Sequence, residues 1–312
     1  MTENTSAPPS CRGAWPTMVT PYAEDLAIDA GAYRAMVEWY LGHGVGGLYA
    51  NCLSSEMDLL DDRERLLLVS EAVRVAGGRV PVAATGNLGA SQAEHIALCR
   101  RVAAAGADIV MLVVPEWCAS DDELEHYYMT LAEQVDAPLG LYECPAPRPY
   151  HLGLDLVGRL ARTGRFVAFK ETSCDLAKIH ALLDVTHDTP LALLQANTPY
   201  LLEAVRAGAP GTMSIASIWL PDLVAAVVER ASSAGAEELH AALCAMELAQ
   251  RAVHPQGSKY LLGKRGVPIS PRTRRAQPPL SAEERYALDA AARVWLLPDG
   301  GLRALEALQR HG

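Results

Sequence analysis

A lysine at the end of an apolar run is the residue whose type and setting most directly suggest chemistry. Residues 166–169 read Phe-Val-Ala-Phe, and Lys170 and Glu171 follow them. Only four of the 27 basic residues are lysines, so a cation needed merely for solubility would usually be an arginine here. An apolar setting disfavours an ammonium ion and favours a neutral amine, which can attack a carbonyl carbon. The run predicts a Schiff-base lysine, with a lysine paired to a carboxylate as the alternative.

Two other apolar runs also end on polar side chains that suit a small carbonyl acid. Tyr142 ends the run at 138–142, and its phenol can move protons at an imine. A buried tyrosine with one hydrogen bond is the alternative reading. Ser54 and Ser55 follow the run at 46–50 in a predicted tight turn. Their hydroxyls and amides suit a substrate carboxylate, although local capping of the turn is at least as common a use.

Carboxylates and thiols also gather at the ends of the apolar runs. They are Glu56, Glu116, Glu143 and Glu171, with Cys52, Cys118, Cys144 and Cys174. Carboxylates suit Mg²⁺ and thiolates suit zinc. No spacing matches a ligand motif and no histidine accompanies them, so we predict neither a metal nor another cofactor. A metal-dependent barrel enzyme stays open as an alternative.

Eight short apolar runs carry these residues, and segments with helical periodicity separate them. The runs are 14–20, 46–50, 80–85, 108–114, 138–143, 166–171, 191–195 and 211–217. Several of them are apolar almost without alternation, as parallel strands buried on both faces should be. Eight such βα units predict an α/β fold, a (β/α)₈ TIM barrel, in which active sites lie at the carboxyl ends of the strands. No G-x-G-x-x-G follows the first run, which argues against an open dinucleotide-binding sheet.

The rest of the chain divides into a head and a tail. Residues 1–12 are predicted to be a disordered head, residues 13–220 the barrel, and residues 221–312 a C-terminal helical extension. Within the extension, Ser281 and Glu284 have the spacing of a capping box at a helix start.

Charge and cysteine usage narrow the class of partner. The formal net charge is −10 and the only basic cluster is short, so neither nucleic acid nor an anionic membrane is a predicted partner. The seven cysteines are odd in number, and none form a C-x-x-C pair, which indicates reduced thiols in a cytoplasmic protein. We see neither a signal peptide nor an apolar stretch long enough to span a membrane.

Four motifs, taken in order, resemble the dihydrodipicolinate synthase / N-acetylneuraminate lyase family of Schiff-base aldolases. The motifs are Tyr142-Glu143-Cys144-Pro145 for the family's Tyr-Asn-x-Pro, Phe169-Lys170-Glu171 for its Lys-Glu/Asp, residues 211–215 for Gly-x-x-Ser-Val, and residues 259–262 at the start of its last helices. The resemblance spans roughly residues 13–295. Each motif is modest alone, and their joint order is the stronger signal.

The resemblance implies both an architecture and a reaction. It implies a TIM barrel with a C-terminal helical domain, assembled as a homotetramer that is a dimer of dimers. It also implies pyruvate or another 2-oxo acid bound as an imine on Lys170, with Tyr142 shuttling protons and Ser54 holding the carboxylate. Ile215 and Glu143 fall at positions that the resemblance places beside the substrate.

Departures from the family pattern affect the predicted proton relay and the second substrate. Leu53 replaces a relay hydroxyl, and Trp117 replaces a tyrosine that normally comes from a neighbouring subunit. The arginine that grips the second substrate's carboxylate falls at Pro147, with Arg148 one residue off, and Glu143 replaces the asparagine. We therefore predict an aldolase-type lyase or synthase with weak dihydrodipicolinate synthase turnover, whose second substrate is open, with an aldehyde as the candidate. A barrel that binds a 2-oxo acid without turnover is the other alternative.

Overall fold

The computed structural model describes residues 9–146 and 148–309, which form eight strands and twelve α-helices. The strands are β1 Gly13–Ala14, β2 Leu48–Asn51, β3 Val82–Thr85, β4 Ile109–Val113, β5 Leu139–Tyr142, β6 Phe166–Glu171, β7 Ala192–Gln195 and β8 Gly211–Thr212. The helices are α1 Ala30–Leu41, α2 Asp62–Ala76, α3 Gln92–Ala104, α4 Asp121–Gln134, α5 Leu154–Arg162, α6 Leu176–Thr186, α7 Leu201–Arg206, α8 Pro221–Glu229, α9 Ala236–Arg251, α10 Gln256–Lys264, α11 Ala282–Trp295 and α12 Arg303–Gln309.

All eight strands belong to one parallel sheet that curls into a barrel. Their order is β1-β8-β7-β6-β5-β4-β3-β2. Beyond β1, Thr17 makes a parallel bridge with Tyr49 of β2, which joins the two ends of the sheet. Every residue of the central strands β3 to β6 is buried, because side chains fill the barrel on one face and helices cover the other. The predicted fold class, a TIM barrel with C-terminal helices, is confirmed.

The first and last strands are shorter than the sequence predicted. The predicted strand at 14–20 is regular only over Gly13–Ala14, because Pro16 has no N–H to donate to a ladder. The predicted strand at 211–217 ends at Thr212. There the Ser217 amide donates to Ser214 Oγ at 3.4 Å, a local bond that competes with strand pairing. Both runs keep their place in the barrel while their ends bend into the site.

Helix starts follow the capping patterns of the sequence. At α2, Asp61 and Glu64 form a reciprocal capping box. At α11, Glu284 N donates to Ser281 Oγ at 3.1 Å and Ser281 N donates to the Glu284 carboxylate at 2.7 Å, as predicted. These caps fix where the outer helices begin, and so they fix the lengths of the loops at the carboxyl edge of the barrel.

The C-terminal helices cover one side of the barrel and one of them belongs to its outer ring. Helix α8 packs against β1 and α7, which is the place of the eighth barrel helix. We therefore propose that the boundary between barrel and helical extension, predicted after residue 220, lies after α8. Helices α9 and α10 pack on each other and close over the carboxyl edge of the strands.

The predicted disordered head covers residues 1–12, of which residues 1–8 lie outside the described residues. Cys11 is buried, and Trp15 Nε1 donates to the carbonyl of Arg12 at 3.1 Å, so the end of this head belongs to the folded structure. All seven cysteines are free thiols, as predicted. Among the helices that the structure describes, none combines the length and the apolar character that a membrane span requires.

Candidate active site

A cavity of about 690 Å³ opens at the carboxyl ends of the strands, the edge where parallel barrels carry their active sites. Strands β5 and β6 bring Tyr142 and Lys170 to it, and the turn after β2 brings Ser54. Helix α9 and the segment after it form the opposite wall, with Arg251 and His254. The barrel and the helical extension therefore build the cavity together.

Lys170 is buried beside two aromatic rings. It is 6% exposed, it pairs with Tyr142 across β5 and β6, and its Nζ lies 4.3 Å from the Tyr142 ring centroid and 5.6 Å from that of Tyr49. Among the ion pairs of the described residues, none involves Lys170. Glu171 faces the other side of the strand, where Gln195 Nε2 donates to it at 2.7 Å. Burial lowers the pKa of Lys170, and only two thiols oppose that shift. This setting favours an amine over an ion-paired lysine.

Tyr142 presents a protonated phenol to the same cavity. Its side chain is 2% exposed, and burial raises its pKa well above the ordinary value for tyrosine. The Tyr49 ring packs against it edge-on, with ring centroids 5.8 Å apart. The Tyr142 phenol keeps its proton, while the neighbouring Lys170 loses one readily. Tyr142 is therefore suited to donating a proton to an oxygen or nitrogen atom in the cavity.

The two serines after β2 have different surroundings. Ser54 lines the cavity, and its Oγ lies 3.1 Å from His254 Nε2 and 3.3 Å from Thr17 Oγ1. Ser55 is fully buried; its Oγ donates to the Met18 carbonyl at 2.8 Å and accepts the amide hydrogen three residues before it at 2.9 Å. For Ser55 the capping alternative therefore fits better than a substrate contact. Ser54 is the hydroxyl available to a ligand.

Glu143 joins two loops of the barrel and lies outside the cavity wall. Its carboxylate accepts hydrogen bonds from Leu152 N at 2.8 Å and Thr172 N at 3.0 Å, and it pairs with Lys178 at 3.3 Å. The side chain is fully buried by these partners. The Glu143 carboxylate thus ties the loop after β5 to the loop after β6, and its contact with substrate stays a prediction.

Arg148 and Ile215 were the other two predicted contacts. The Arg148 guanidinium donates to the carbonyl of Cys118 and lies 5.1 Å from the Tyr150 ring centroid, and Arg148 does not line the cavity. Its predicted contact with substrate is therefore not seen. Ile215 does line the cavity, and its carbonyl accepts a hydrogen bond from Gln250 Nε2 at 3.2 Å.

Leu53 and Trp117, which replace two hydroxyl-bearing residues of the expected proton relay, have different surroundings. Leu53 lines the cavity with an apolar side chain where the resemblance expects a hydroxyl. Trp117 lies outside this cavity, is 46% exposed, and packs against His95 with ring centroids 4.9 Å apart. Neither residue supplies a proton donor to Tyr142 within this chain.

The carboxylates at the strand ends do not converge on one point. Glu56 accepts from Lys259 Nζ at 2.9 Å and Glu143 pairs with Lys178, while Glu171 is bound to Gln195. In the described part of the chain, no group of three or more His, Cys, Asp or Glu residues is placed to hold a metal ion. The metal-dependent alternative therefore gains no support from the geometry.

Several polar residues of the cavity were missed by the sequence analysis. They are His151, Glu247, Arg251, His254 and Arg275. Most come from the helical extension, where no site residue was predicted. A signal was present: Glu247 and Arg251 have the i,i+4 spacing of an ion pair, and they pair at 2.6 Å in α9.

Comparison with known proteins agrees with the motifs and the geometry. The model of the dihydrodipicolinate synthetase family matches residues 10–294. The chain belongs to this family. A 4-hydroxy-tetrahydrodipicolinate synthase of Thiobacillus denitrificans is 32% identical over 69% of this chain and 72% of its own length. Another, from Stenotrophomonas maltophilia, is 30% identical over 97% of this chain and 100% of its own.

A solved structure of the family has the same architecture. The chloride-inhibited dihydrodipicolinate synthase of Acinetobacter baumannii, complexed with pyruvate, superposes with a TM-score of 0.83 at 26% identity, covering 94% of this chain and 100% of that one. The predicted family and the predicted class of function, a lyase or synthase of this family's type, are confirmed. The second substrate stays open.

Proposed function

We propose that this protein makes or breaks a carbon–carbon or carbon–oxygen bond through an imine between Lys170 and pyruvate or another 2-oxo acid. The observation that carries the proposal is the buried Lys170 amine, which has aromatic faces beside it and no ion pair among the described residues. The neutral amine attacks the ketone carbon, water leaves, and a protonated imine remains. This iminium withdraws electrons, so the adjacent carbon loses a proton and becomes a nucleophile.

Tyr142 and Ser54 take the supporting roles. The Tyr142 phenol gives a proton to the departing oxygen and recovers one later, since its raised pKa keeps it protonated between steps. The Ser54 hydroxyl holds the carboxylate of the 2-oxo acid, because it lines the cavity while the Ser55 hydroxyl is bound to main-chain groups. Pyruvate is the first candidate for this 2-oxo acid, since the Acinetobacter relative was solved in complex with pyruvate.

The second substrate is proposed to differ from aspartate semialdehyde. Leu53 and Trp117 leave Tyr142 without the two relay hydroxyls, and Arg148 lies outside the cavity. General acid–base help is worth roughly 10²–10⁴-fold, so a damaged relay should lower dihydrodipicolinate synthase turnover by a comparable factor. An efficiency with pyruvate and aspartate semialdehyde near ~10⁴ M⁻¹s⁻¹ or above would contradict this. An aldehyde with another pattern of charge is the proposed partner.

We further propose that the protein is a homotetramer, built as a dimer of dimers, that works in the cytoplasm. The resemblance to the family implies this assembly, and Trp117 is an exposed aromatic at the position from which a neighbouring subunit reaches the site. The seven free thiols and the acidic net charge of −10 fit a reducing compartment without nucleic-acid or membrane partners. Light scattering on a sizing column tests the assembly directly.

Trapping of the imine tests the chemical core of the proposal. The protein is incubated with pyruvate, reduced with borohydride and digested, and the modified peptide is mapped by mass spectrometry. We expect a reduced adduct on Lys170. An adduct on Lys178, Lys259 or Lys264, or no adduct with any of several 2-oxo acids, would overturn the proposal. A panel of aldehydes then separates an enzyme from a barrel that binds the acid without turnover, because only the enzyme gives condensation products.

A further inference from the structure

His254 lines the cavity from the junction between α9 and α10, and the proposed imine chemistry does not use it. Both ring nitrogens make hydrogen bonds. Nε2 lies 3.1 Å from Ser54 Oγ, and Nδ1 lies 2.8 Å from Ser258 Oγ. The imidazole therefore joins the helical extension to the hydroxyl that is proposed to hold the substrate carboxylate.

The hydrogen positions along this chain of contacts follow from a main-chain carbonyl. The Ile215 carbonyl can only accept, so Gln250 Nε2 donates to it at 3.2 Å and Gln250 Oε1 faces Ser258. Ser258 Oγ donates its hydrogen to that Oε1, so it can only accept from His254. Nδ1 of His254 therefore carries the proton, and in a neutral ring Nε2 is bare. Ser54 has one hydroxyl hydrogen and two acceptors within reach of it, the bare Nε2 at 3.1 Å and Thr17 Oγ1 at 3.3 Å.

Charges around the ring keep it neutral when the cavity holds no anion. Burial lowers the pKa of His254 to about 3, and the charges of Lys259, Arg275 and, while it is protonated, Lys170 act in the same direction. The carboxylates nearest to this wall do not offset those cations, because Glu56 is paired with Lys259 at 2.9 Å and Glu247 with Arg251.

A carboxylate at Ser54 would compete with Nε2 and with Thr17 Oγ1 for the single hydrogen of the Ser54 hydroxyl. Thr17 cannot supply another, because its Oγ1 donates to the Ser214 carbonyl at 3.3 Å. If Ser54 turned its hydrogen to the ligand, the bare Nε2 would be left without a donor and would face an anion. An unpaired buried acceptor beside a negative charge is unfavourable, and one added proton on Nε2 removes both problems.

We propose that His254 takes up one proton when a 2-oxo acid binds, so that Nε2–H donates to Ser54 and the Ser54 hydroxyl donates to the carboxylate. This inference rests on the proposed function, because it requires a carboxylate at Ser54. The proton comes from solvent, and no bond between heavy atoms forms or breaks in this step. His254 is thus a positioning residue that acts through Ser54, and it selects an anion over an uncharged amide or ester.

The reduced pyruvate adduct gives a direct test, because the ligand in it cannot leave. Nitrogen NMR of ¹⁵N-histidine-labelled full-length protein reports the protonation of each ring nitrogen, and His254→Gln identifies the His254 signals. We expect bare Nε2 and protonated Nδ1 in the free protein at pH 7, and an imidazolium in the adduct. An adduct in which His254 stays neutral would overturn this inference and leave the imine chemistry standing. Failure to form any adduct would remove both.

The pH dependence of binding gives a second test that does not rely on spectroscopy. Between the free pKa of about 3 and the higher pKa of the complex, uptake of one proton makes binding weaken about tenfold per pH unit as pH rises. The pyruvate concentration for half-maximal trapping is therefore measured from pH 5.5 to 8.5 in the wild type and in His254→Gln. The ratio of the two values cancels any contribution from Lys170.

We expect this ratio to change with pH by up to tenfold per unit and then level off at the pKa of the complex. Gln is the matched variant because its amide can donate to Ser54 without carrying a charge. His151→Gln removes the other imidazole of the cavity and should keep the wild-type pH slope. With pyruvamide, which has the ketone but no carboxylate, the ratio of the two proteins should stay constant across the pH range. A ratio that is flat across the range would contradict the proposal, and His254→Asn repeats the test if the Gln variant does not fold.

Discussion

Two lysines are buried at the mouth of this barrel, and their surroundings differ. Lys259 is fully buried, and its Nζ donates to Glu56 at 2.9 Å and to the Arg272 carbonyl at 2.6 Å. Lys170 has no ion-pair partner among the described residues, and the faces of Tyr142 and Tyr49 lie beside its amine. Burial lowers the pKa of both lysines, and that of Lys259 falls to about 8 although the Glu56 carboxylate opposes the shift. The two lysines therefore differ in their partners, because Glu56 and the Arg272 carbonyl hold the Lys259 amine in place. A carboxylate partner thus separates a structural cation from a nucleophile.

Glu56, the carboxylate partner of Lys259, also holds the turn after β2 in position. Glu56 has a left-handed backbone, with φ of 62°, which is uncommon for a residue with a side chain. Its carboxylate accepts from Lys259 and Thr273 Oγ1, and from the Arg274 amide at 2.7 Å. These bonds fix the turn that carries Ser54. One buried lysine therefore positions the site, and the other is proposed to carry out the chemistry in it.

The largest effect is expected on imine trapping when the amine of Lys170 is replaced. Lys170→Arg should abolish borohydride trapping with pyruvate, because a guanidinium stays protonated and is a poor nucleophile. The matched control is Lys178→Arg, in which a guanidinium can keep the pairing with Glu143. The control should be trapped as the wild type is. Trapping that survives in Lys170→Arg would mean that another amine forms the imine.

The sequence predicted the fold well because local signals and the global fold agree. Eight apolar runs matched eight strands, and the predicted capping pair at Ser281 and Glu284 matched a helix start. The same runs predicted Lys170 and Tyr142 as neighbours, since adjacent parallel strands end at one edge, and the two residues are paired in register. Positions inside regular strands are therefore accessible to sequence reasoning.

The other wall of the site was not predictable in the same way. His254 and Arg251 reach the cavity through the packing of α9 on the barrel, and no local pattern specifies that packing. Two loop residues predicted to contact substrate, Arg148 and Glu143, do not line the cavity and bind groups of the protein instead. A loop residue's neighbours depend on which backbone groups need partners, and the sequence does not show these.

Breaking the ion pair of Lys259 should affect stability and leave imine formation intact. Lys259→Met leaves the buried Glu56 carboxylate uncompensated, which typically costs about 3–5 kcal/mol in the free energy of unfolding. Urea denaturation measures this loss. Lys259→Met/Glu56→Gln should recover much of it, because no charge is then stranded. At temperatures where the single variant is folded, pyruvate should still be trapped on Lys170; loss of trapping would mean that Lys259 takes part in the chemistry.

Tyr142→Phe tests whether the Tyr142 hydroxyl, and not only its ring, is needed beside Lys170. The ring stays beside Lys170 while the hydroxyl is lost, so turnover should fall by ~10²-fold or more, the scale of lost acid–base help. Binding of the 2-oxo acid should change less, because Ser54 still holds the carboxylate. Tyr49→Phe is the matched control: its hydroxyl is bound to Thr85 Oγ1 at 2.8 Å, and its loss should leave turnover near the wild-type rate. A Tyr142→Phe variant that melts lower but keeps its rate would make Tyr142 structural.

The smallest effect on stability and on turnover is expected from Arg148→Ala. The sequence placed this arginine near the carboxylate of a second substrate, but its guanidinium donates to the Cys118 carbonyl and lies against the Tyr150 ring. Losing one such hydrogen bond typically costs about 0.5–1.5 kcal/mol of stability. We expect a slightly lower melting temperature and an unchanged KM for any aldehyde that is turned over.

Arg251→Ala provides the contrast for Arg148, because Arg251 lines the cavity and is 46% exposed in its side chain. If the second substrate is an anion, Arg251→Ala should raise its KM, while Arg148→Ala should not. An increase of KM confined to Arg148→Ala would mean that the loop after β5 moves when substrate binds, and that the arginine reaches the ligand as the sequence first indicated. Both variants are assayed with the same aldehyde, so the ratio of their KM values decides between the loop after β5 and the end of α9.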